Sequence, residues 1–176
     1  QAIDSSVNLP YWDWTVENLN SAGTESLIWR NDFMGGPGAM SNGSMTTGPF
    51  SDWGLRRNAF NIFASPGTGG TIATRMASSN YTTFRQIEGP HGAAHVWVGG
   101  DVGNPTIAPR APVFWLSHAN VDRLWSEWIR QHQGEAGFEP FLPLSGGPTG
   151  HNLNDTMWPW NGTTNPFGML PWTVSP

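Results

Sequence analysis

The chain has 176 residues, of which 38% are hydrophobic and 12% are charged, so it is long and apolar enough to bury the core of one domain. Eight basic and thirteen acidic side chains give a net charge of −5, which argues against a nucleic-acid partner because such proteins need a basic surface. The sequence has no apolar run long enough to span a membrane. It also lacks cysteine, so any metal site must use histidine, carboxylate or backbone ligands.

In the N-terminal half, the sequence predicts two loops with one short helix between them. Turn-forming residues dominate 35–49 (GGPGAMSNGSMTTGP) and predict an irregular surface loop, and the glycines of 67–70 predict a second loop. Between the two loops, residues 52–64 are compatible with a short helix that is capped near Asp52. The side chains of this helix that are expected to face inward are Leu55, Phe60 and Phe63.

A helix is predicted to begin at Pro90 and to stop by Gly99-Gly100. It places His91 and His95 one turn apart on the same face. Side chains four residues apart on a helix are neighbours about 5–6 Å apart, so both imidazoles can reach one point.

The longest helix is predicted from Pro112 to about Gln131. Proline suits the first helical position, and Gly134 lies just past the expected end. His118 lies on this helix. From Glu139 onward, repeated prolines forbid long elements, so the tail is expected to be coil. Apolar side chains recur at intervals of three and four at Val121, Leu124, Trp125 and Trp128, and the face of His118 is shared by Phe114, Val121, Asp122 and Trp125.

The three histidines His91, His95 and His118 predict a trigonal metal site with room for an exogenous ligand. Ligation by imidazole alone, without thiolate or carboxylate, suits copper or zinc. The spacing of His91 and His95 taken alone is equally compatible with two ordinary histidines on a partly buried helix.

Three motifs surround these histidines in a fixed order, namely LPYWDWT (9–15), HGAAHVWVGG (91–100) and APVFWLSHANVDRLW (111–125). Together they resemble the type-3 copper proteins: tyrosinases, catechol oxidases and molluscan haemocyanins. The stretches DFMGGPG, MTTGPF and LNDTMWPWN are similar to the short bacterial tyrosinases in particular. The resemblance covers nearly all of this chain and only the second half of the family's catalytic domain.

The resemblance implies a mainly α fold, the CuB half of a four-helix bundle that holds two coppers, with long Pro/Gly-rich coil and few or short strands. Residues 1–176 would form a single-domain fragment, the C-terminal half of the catalytic domain. The LPYWDWT motif is expected to be structural, with Trp12 and Trp14 in the core and Asp13 as a hydrogen-bonding member.

In the family, the copper called CuB is bound by histidines that match His91, His95 and His118. The other copper, CuA, needs three more histidines from helices that normally precede the LPYWDW motif. His132 is expected at the surface or as a helix cap, and His151 is expected in the Pro-rich coil, so neither replaces them. A second polypeptide is therefore expected to carry CuA, with one of the two coppers bound by this chain.

Two residues near the first histidine bear on the reaction. Glu88 resembles the glutamate that in several relatives holds a water near the coppers and assists removal of the phenol proton, which makes it a candidate catalytic residue. Its alternative role is simply to occupy the approach to the helix N-terminus. Gly92 stands where many tyrosinases have asparagine, which favours oxidation of catechols or o-aminophenols over hydroxylation of monophenols.

The resemblance thus implies a copper oxidase that converts o-diphenols or o-aminophenols, and as a further candidate monophenols, to o-quinone-type products with dioxygen. Two alternatives remain open from the sequence. One is reversible dioxygen binding as in haemocyanin, which uses the same ligands. The other is an inactive copper-binding fragment.

Overall fold

The computed structural model describes residues 8–14, 27–58 and 69–138, together with residues 146, 152 and 155. Within these ranges the fold is mainly α, as expected. Few or short strands were expected, and the described residues form none, although an isolated antiparallel bridge joins Ser44 to Arg56. None of the described helices combines the length and the apolar character that crossing a membrane requires. The helices are α1 (Gly69–Met76), α2 (Tyr81–Phe84), α3 (Glu88–Val98) and α4 (Pro112–His132).

Helix α4 is the longest of the described helices and carries His118. It begins at Pro112 and ends at His132, so the predicted bounds are confirmed to within one residue. Ala111 precedes the helix and provides no side-chain cap. Pro112 at the first position has no N–H, so one fewer backbone donor is left without a partner. Its buried apolar side chains recur at helical spacing and pack into the core, each contributing about 1.5–3 kcal/mol. They are Val113, Leu116, Leu124 and Trp128.

Helix α3 carries two of the candidate ligands. It begins at Glu88, two residues before the predicted start, because a 3-10 turn over Arg85–Ile87 runs directly into it with helical backbone angles. It ends at Val98, as predicted, where the Gly99 N–H bonds the His95 carbonyl. Both Gly99 and Gly100 have positive φ, of 61° and 54°. This turn folds the chain back over the end of α3.

The helix predicted over residues 52–64 is wrong in its described part. Only a 3-10 turn, Ser51–Trp53, forms there, and Gly54 ends it in the left-handed conformation. Beyond Gly54 the chain makes long-range backbone bonds instead, with the Arg57 N–H bonding the Gly43 carbonyl and the Asn58 N–H bonding the Val98 carbonyl. Leu55 is buried as predicted. Phe60 and Phe63 lie outside the described residues.

Helices α1 and α2 are absent from the sequence prediction. Gly69 and Gly70 open α1 rather than belonging to a loop, while residues 67–68 lie outside the described part. The surrounding sequence is rich in glycine, serine and threonine, which are weak helix formers. One signal for α2 was present, because Asn80 caps it by accepting a hydrogen bond from the Thr83 N–H at 3.1 Å.

His132 ties the end of α4 to the end of α1. It is only 3% exposed, so the predicted surface position is wrong, although a capping role is found on a different helix. Its Nε2 lies 2.7 Å from the carbonyl of Met76, the last residue of α1, and its Nδ1 lies 2.8 Å from the Glu135 carboxylate. Both partners can only accept, so the two contacts together favour the imidazolium form of His132, in which both ring nitrogens donate.

We expect the stabilisation by His132 to depend on pH. The hydrogen bond to the Met76 carbonyl, and then the one to Glu135, raise the pKa of His132. With a raised folded-state pKa, the stabilisation is complete below the ordinary value of about 6.5 and is lost as the pH rises through the raised value. His132→Gln should therefore cost about 1–3 kcal/mol in urea unfolding near pH 5.5 and less near pH 9. An equal cost at both pH values would contradict the imidazolium assignment.

The Gly99–Gly100 turn should tolerate no side chain at its second position. A Cβ on Gly100 would lie 2.2 Å from the Arg56 carbonyl oxygen, in addition to the left-handed strain. Left-handed strain alone costs about 1–3 kcal/mol. We expect Gly100→Ala to lower the free energy of unfolding by more than this amount. Gly54→Ala is the matched control, because Gly54 has φ of 69° and open space around it. Equal losses of unfolding free energy in the two variants would show that the clash is relieved without cost.

Candidate metal centre

The imidazoles of His91, His95 and His118 form one cluster between α3 and α4. One ring nitrogen from each lies within 4.8 Å of the others. The ring centroids of His91 and His118 are 4.7 Å apart, and those of His95 and His118 are 5.2 Å apart. All three residues are half-buried. The sequence prediction that these three side chains meet is therefore supported by the geometry.

Each Nδ1 atom of the cluster has its own hydrogen-bond acceptor. His91 Nδ1 lies 2.9 Å from Glu88 Oε2, His95 Nδ1 lies 2.8 Å from the Val102 carbonyl oxygen, and His118 Nδ1 lies 2.8 Å from the Phe114 carbonyl oxygen. A carboxylate or carbonyl oxygen only accepts, so each Nδ1 carries the proton. The tautomer of all three rings is thereby fixed, and the Nε2 atoms keep their lone pairs.

The arrangement of the Nε2 atoms fits a metal ion. Nε2 of His91 and Nε2 of His95 lie 2.9 Å apart. Two bare lone pairs repel at this distance, so the contact calls for a positive charge shared by the two nitrogens, either a proton or a metal ion. Burial lowers the pKa of His95 and of His118, which keeps both rings neutral and available as ligands near neutral pH. Three imidazole nitrogens without thiolate are a donor set that copper accepts well.

Aromatic rings hold the imidazoles in place. The Phe114 ring lies 3.9 Å from the His118 ring, centroid to centroid, and packs edge-on against His95 at 5.9 Å. Trp14, which is fully buried, stacks on His91 with 24° between the planes and 6.4 Å between the centroids. Phe114 thus serves the cluster twice, through its ring and through its carbonyl oxygen.

The N-terminal segment, residues 8–14, is bound along α4. The Trp12 N–H bonds the Leu116 carbonyl at 3.0 Å, and the side chain of Trp12 is buried, as is that of Trp14. Arg123 links the two elements, because it donates to Asp13 and to Asn120, at 2.9 Å in each case. The expectations for the LPYWDWT motif are confirmed in this segment. The motif places Trp14 against His91, and its hydrogen bonds attach the segment to α4, the helix that contains His118.

The structure changes the interpretation of two predicted neighbours. Glu88 lies at the cluster, but its carboxylate bonds the ligand ring of His91 directly. Asp122, expected on the face of His118, is exposed, and the adjacent Arg123 makes the inter-element contacts instead. Val102 was not identified from the sequence, since a backbone acceptor has no residue signature. The Gly99-Gly100 pair was the available signal for the turn that presents it.

Comparisons with known proteins agree with this site. The family described as the common central domain of tyrosinase matches residues 57–131, a range that contains all three histidines. A tyrosinase of Streptomyces antibioticus is 36% identical, over 93% of this chain and 67% of the relative. A tyrosinase of Streptomyces glaucescens is 35% identical, over 99% of this chain and 70% of the relative. A grixazone synthase of Streptomyces griseus is 28% identical, over 97% of this chain and 71% of the relative.

Identity at this level over more than two thirds of the relatives' length, together with a three-histidine cluster that fits one copper ion, decides the family. Members of this family are copper-dependent oxidoreductases that oxidise phenols with dioxygen. The chain belongs to the tyrosinase family of type-3 copper proteins.

Proposed function

We propose that this chain is the CuB half of a dicopper phenol oxidase and that His91, His95 and His118 bind one copper through their Nε2 atoms. The observation that carries the proposal is the complete set of Nδ1 acceptors, which leaves the Nε2 atoms as the candidate ligand atoms of a cluster whose ring nitrogens lie within 4.8 Å of one another. Residues 1–176 act as one C-terminal unit of the catalytic domain. Copper, when bound, supplies the redox chemistry that couples dioxygen to phenol oxidation.

The second copper takes its ligands from a polypeptide outside these 176 residues. The chain has five histidines, of which three belong to the cluster. Both ring nitrogens of His132 are engaged by Met76 and Glu135, which leaves His151 alone. One histidine cannot form a second three-imidazole site. Three imidazoles from outside these 176 residues complete the centre, and in this proposal a partner polypeptide carries them.

The substrate is an o-diphenol or an o-aminophenol that lies over the exposed side of the cluster. A cavity of about 50 Å³ opens between Tyr81, Glu88 and Trp125, and none of the three histidines lines it. It is much smaller than the roughly 150 Å³ cavity that holds benzene in an engineered protein. This cavity is too small for the phenol ring, so we place the ring over the cluster itself, in a cleft whose far wall the partner supplies. Glu88, with its side chain 58% exposed at the edge of that cleft, is the acceptor for the phenol proton.

Copper loading tests the ligand assignment. The chain together with its copurified partner should hold two coppers per complex and should form quinone from a catechol. His118→Ala should lower the content to one copper and abolish quinone formation, whereas His151→Ala, the control, should change neither. An active His118→Ala complex would refute the assignment. If the complex holds two coppers but forms no quinone, the oxidase proposal is refuted in favour of reversible dioxygen binding. If the wild-type complex holds a single copper, the chain is an inactive copper-binding fragment.

Gly92 offers a test of the substrate class. A side chain at this position would enter open space next to His91. Gly92→Asn adds an amide that can help Glu88 to hold a water, so the rate on monophenols relative to catechols should rise several-fold, as one hydrogen bond worth about 1 kcal/mol allows. Gly92→Ala is the control for the added bulk. A ratio that rises equally in both variants would show that the amide is not responsible.

A further inference from the structure

The three imidazoles differ in what holds their Nδ1 protons. His95 and His118 donate to neutral backbone carbonyls, those of Val102 and Phe114. His91 instead donates to a carboxylate, that of Glu88 at 2.9 Å. The cluster is therefore chemically asymmetric, although its three ligands are of one residue type.

The bond between Glu88 and His91 is built into the start of α3. Glu88 is the first residue of the helix, and residues three apart lie on the same face, so the carboxylate reaches the ring within one turn. The other side of His91 is covered by Trp14, whose buried indole lies nearly parallel to the ring. The side chain of His91 is only 12% exposed as a result, while that of Glu88 is 58% exposed. The ring can neither tilt toward the indole nor turn its Nδ1 away without losing a contact.

We propose that Glu88 is a positioning residue that makes His91 the most strongly electron-donating of the three ligands. The inference rests on the proposed function, in which His91 binds copper. An anionic acceptor draws the Nδ1 proton further from the ring than a carbonyl does, which increases the basicity of Nε2 and its affinity for a metal. The oxidised, more highly charged copper gains most from the stronger donor. Glu88 therefore lowers the reduction potential of this copper, in addition to accepting a phenol proton.

The experiment uses the 176-residue chain with one copper and no substrate, so that the readout is independent of turnover. Glu88→Gln keeps the shape of the side chain and a carbonyl oxygen for the His91 N–H but removes the charge. We expect the Cu(II) dissociation constant to rise about 10–100-fold. The Cu(I) constant should change less, and each tenfold preferential loss of Cu(II) raises the potential by 59 mV. The Cu(II) electron paramagnetic resonance spectrum should shift with it.

Glu135→Gln is the matched control. Glu135 pairs with His132 in the same way, three residues apart and with 2.8 Å between the carboxylate and Nδ1, but at the far end of α4 from the cluster. This variant should leave the copper affinity and the potential unchanged. An equal effect of the two substitutions would mean that loss of any surface carboxylate is enough, and the proposal would fall.

His91→Ala separates the failure of this inference from that of the proposed function. If His91→Ala abolishes tight Cu(II) binding while Glu88→Gln leaves both the affinity and the potential unchanged, His91 is a ligand and the role of Glu88 is refuted. If His91→Ala itself has no effect, the ligand assignment fails and the inference fails with it. Glu88→Ala adds a further check, because a loss seen with alanine but not with glutamine would show that the side chain acts only by packing.

Discussion

The orientation of three imidazole rings is the constraint on which this site depends. A ring that can rotate or change tautomer presents its Nε2 lone pair to a metal only part of the time, so each ring needs an acceptor at Nδ1. Those acceptors come from three places: the first turn of α3, the loop after α3, and the first turn of α4. The fold around the cluster can be understood as the means of placing these three oxygens.

Each acceptor depends on a different local feature. The 3-10 turn before α3 extends the helix back to Glu88, which brings the carboxylate within one turn of His91. The two positive-φ glycines return the chain so that the Val102 carbonyl lies over His95. A carbonyl oxygen has two lone pairs, so the Phe114 carbonyl can accept from the ring of His118, one turn further along α4, in addition to a helical N–H. Of these features only the Gly99-Gly100 turn lies outside the helices, so a change there would move the Val102 carbonyl from His95 without altering the sequence of either helix.

The sequence predicted the parts of this arrangement that are local. The C-terminal end of α3 and both ends of α4 are encoded by glycine and proline, and the four-residue spacing of His91 and His95 places them on one face. The family motifs add His118, which spacing alone could not join to the pair. The backbone acceptors could not be predicted from the sequence, because every residue has a carbonyl group. Only the path of the folded chain determines which carbonyl lies next to a histidine ring. The contact of Glu88 with His91 is encoded in their spacing of three residues, whereas the family resemblance indicated a bound water as the partner of Glu88.

The exposure of Glu88 would link the proposed assembly to the chemistry of the copper. In this chain the carboxylate is half in water, and water weakens its pull on the His91 proton. A partner that closes the cleft would remove much of that water and lower the local dielectric, which strengthens the charge-assisted bond. The same closure would make proton transfer from a bound phenol to Glu88 compete with its bond to His91. Because a carboxylate that accepts the phenol proton loses its negative charge, His91 would become a weaker donor as the substrate gives up its proton. Copper reduction and substrate deprotonation would then favour each other through a single side chain.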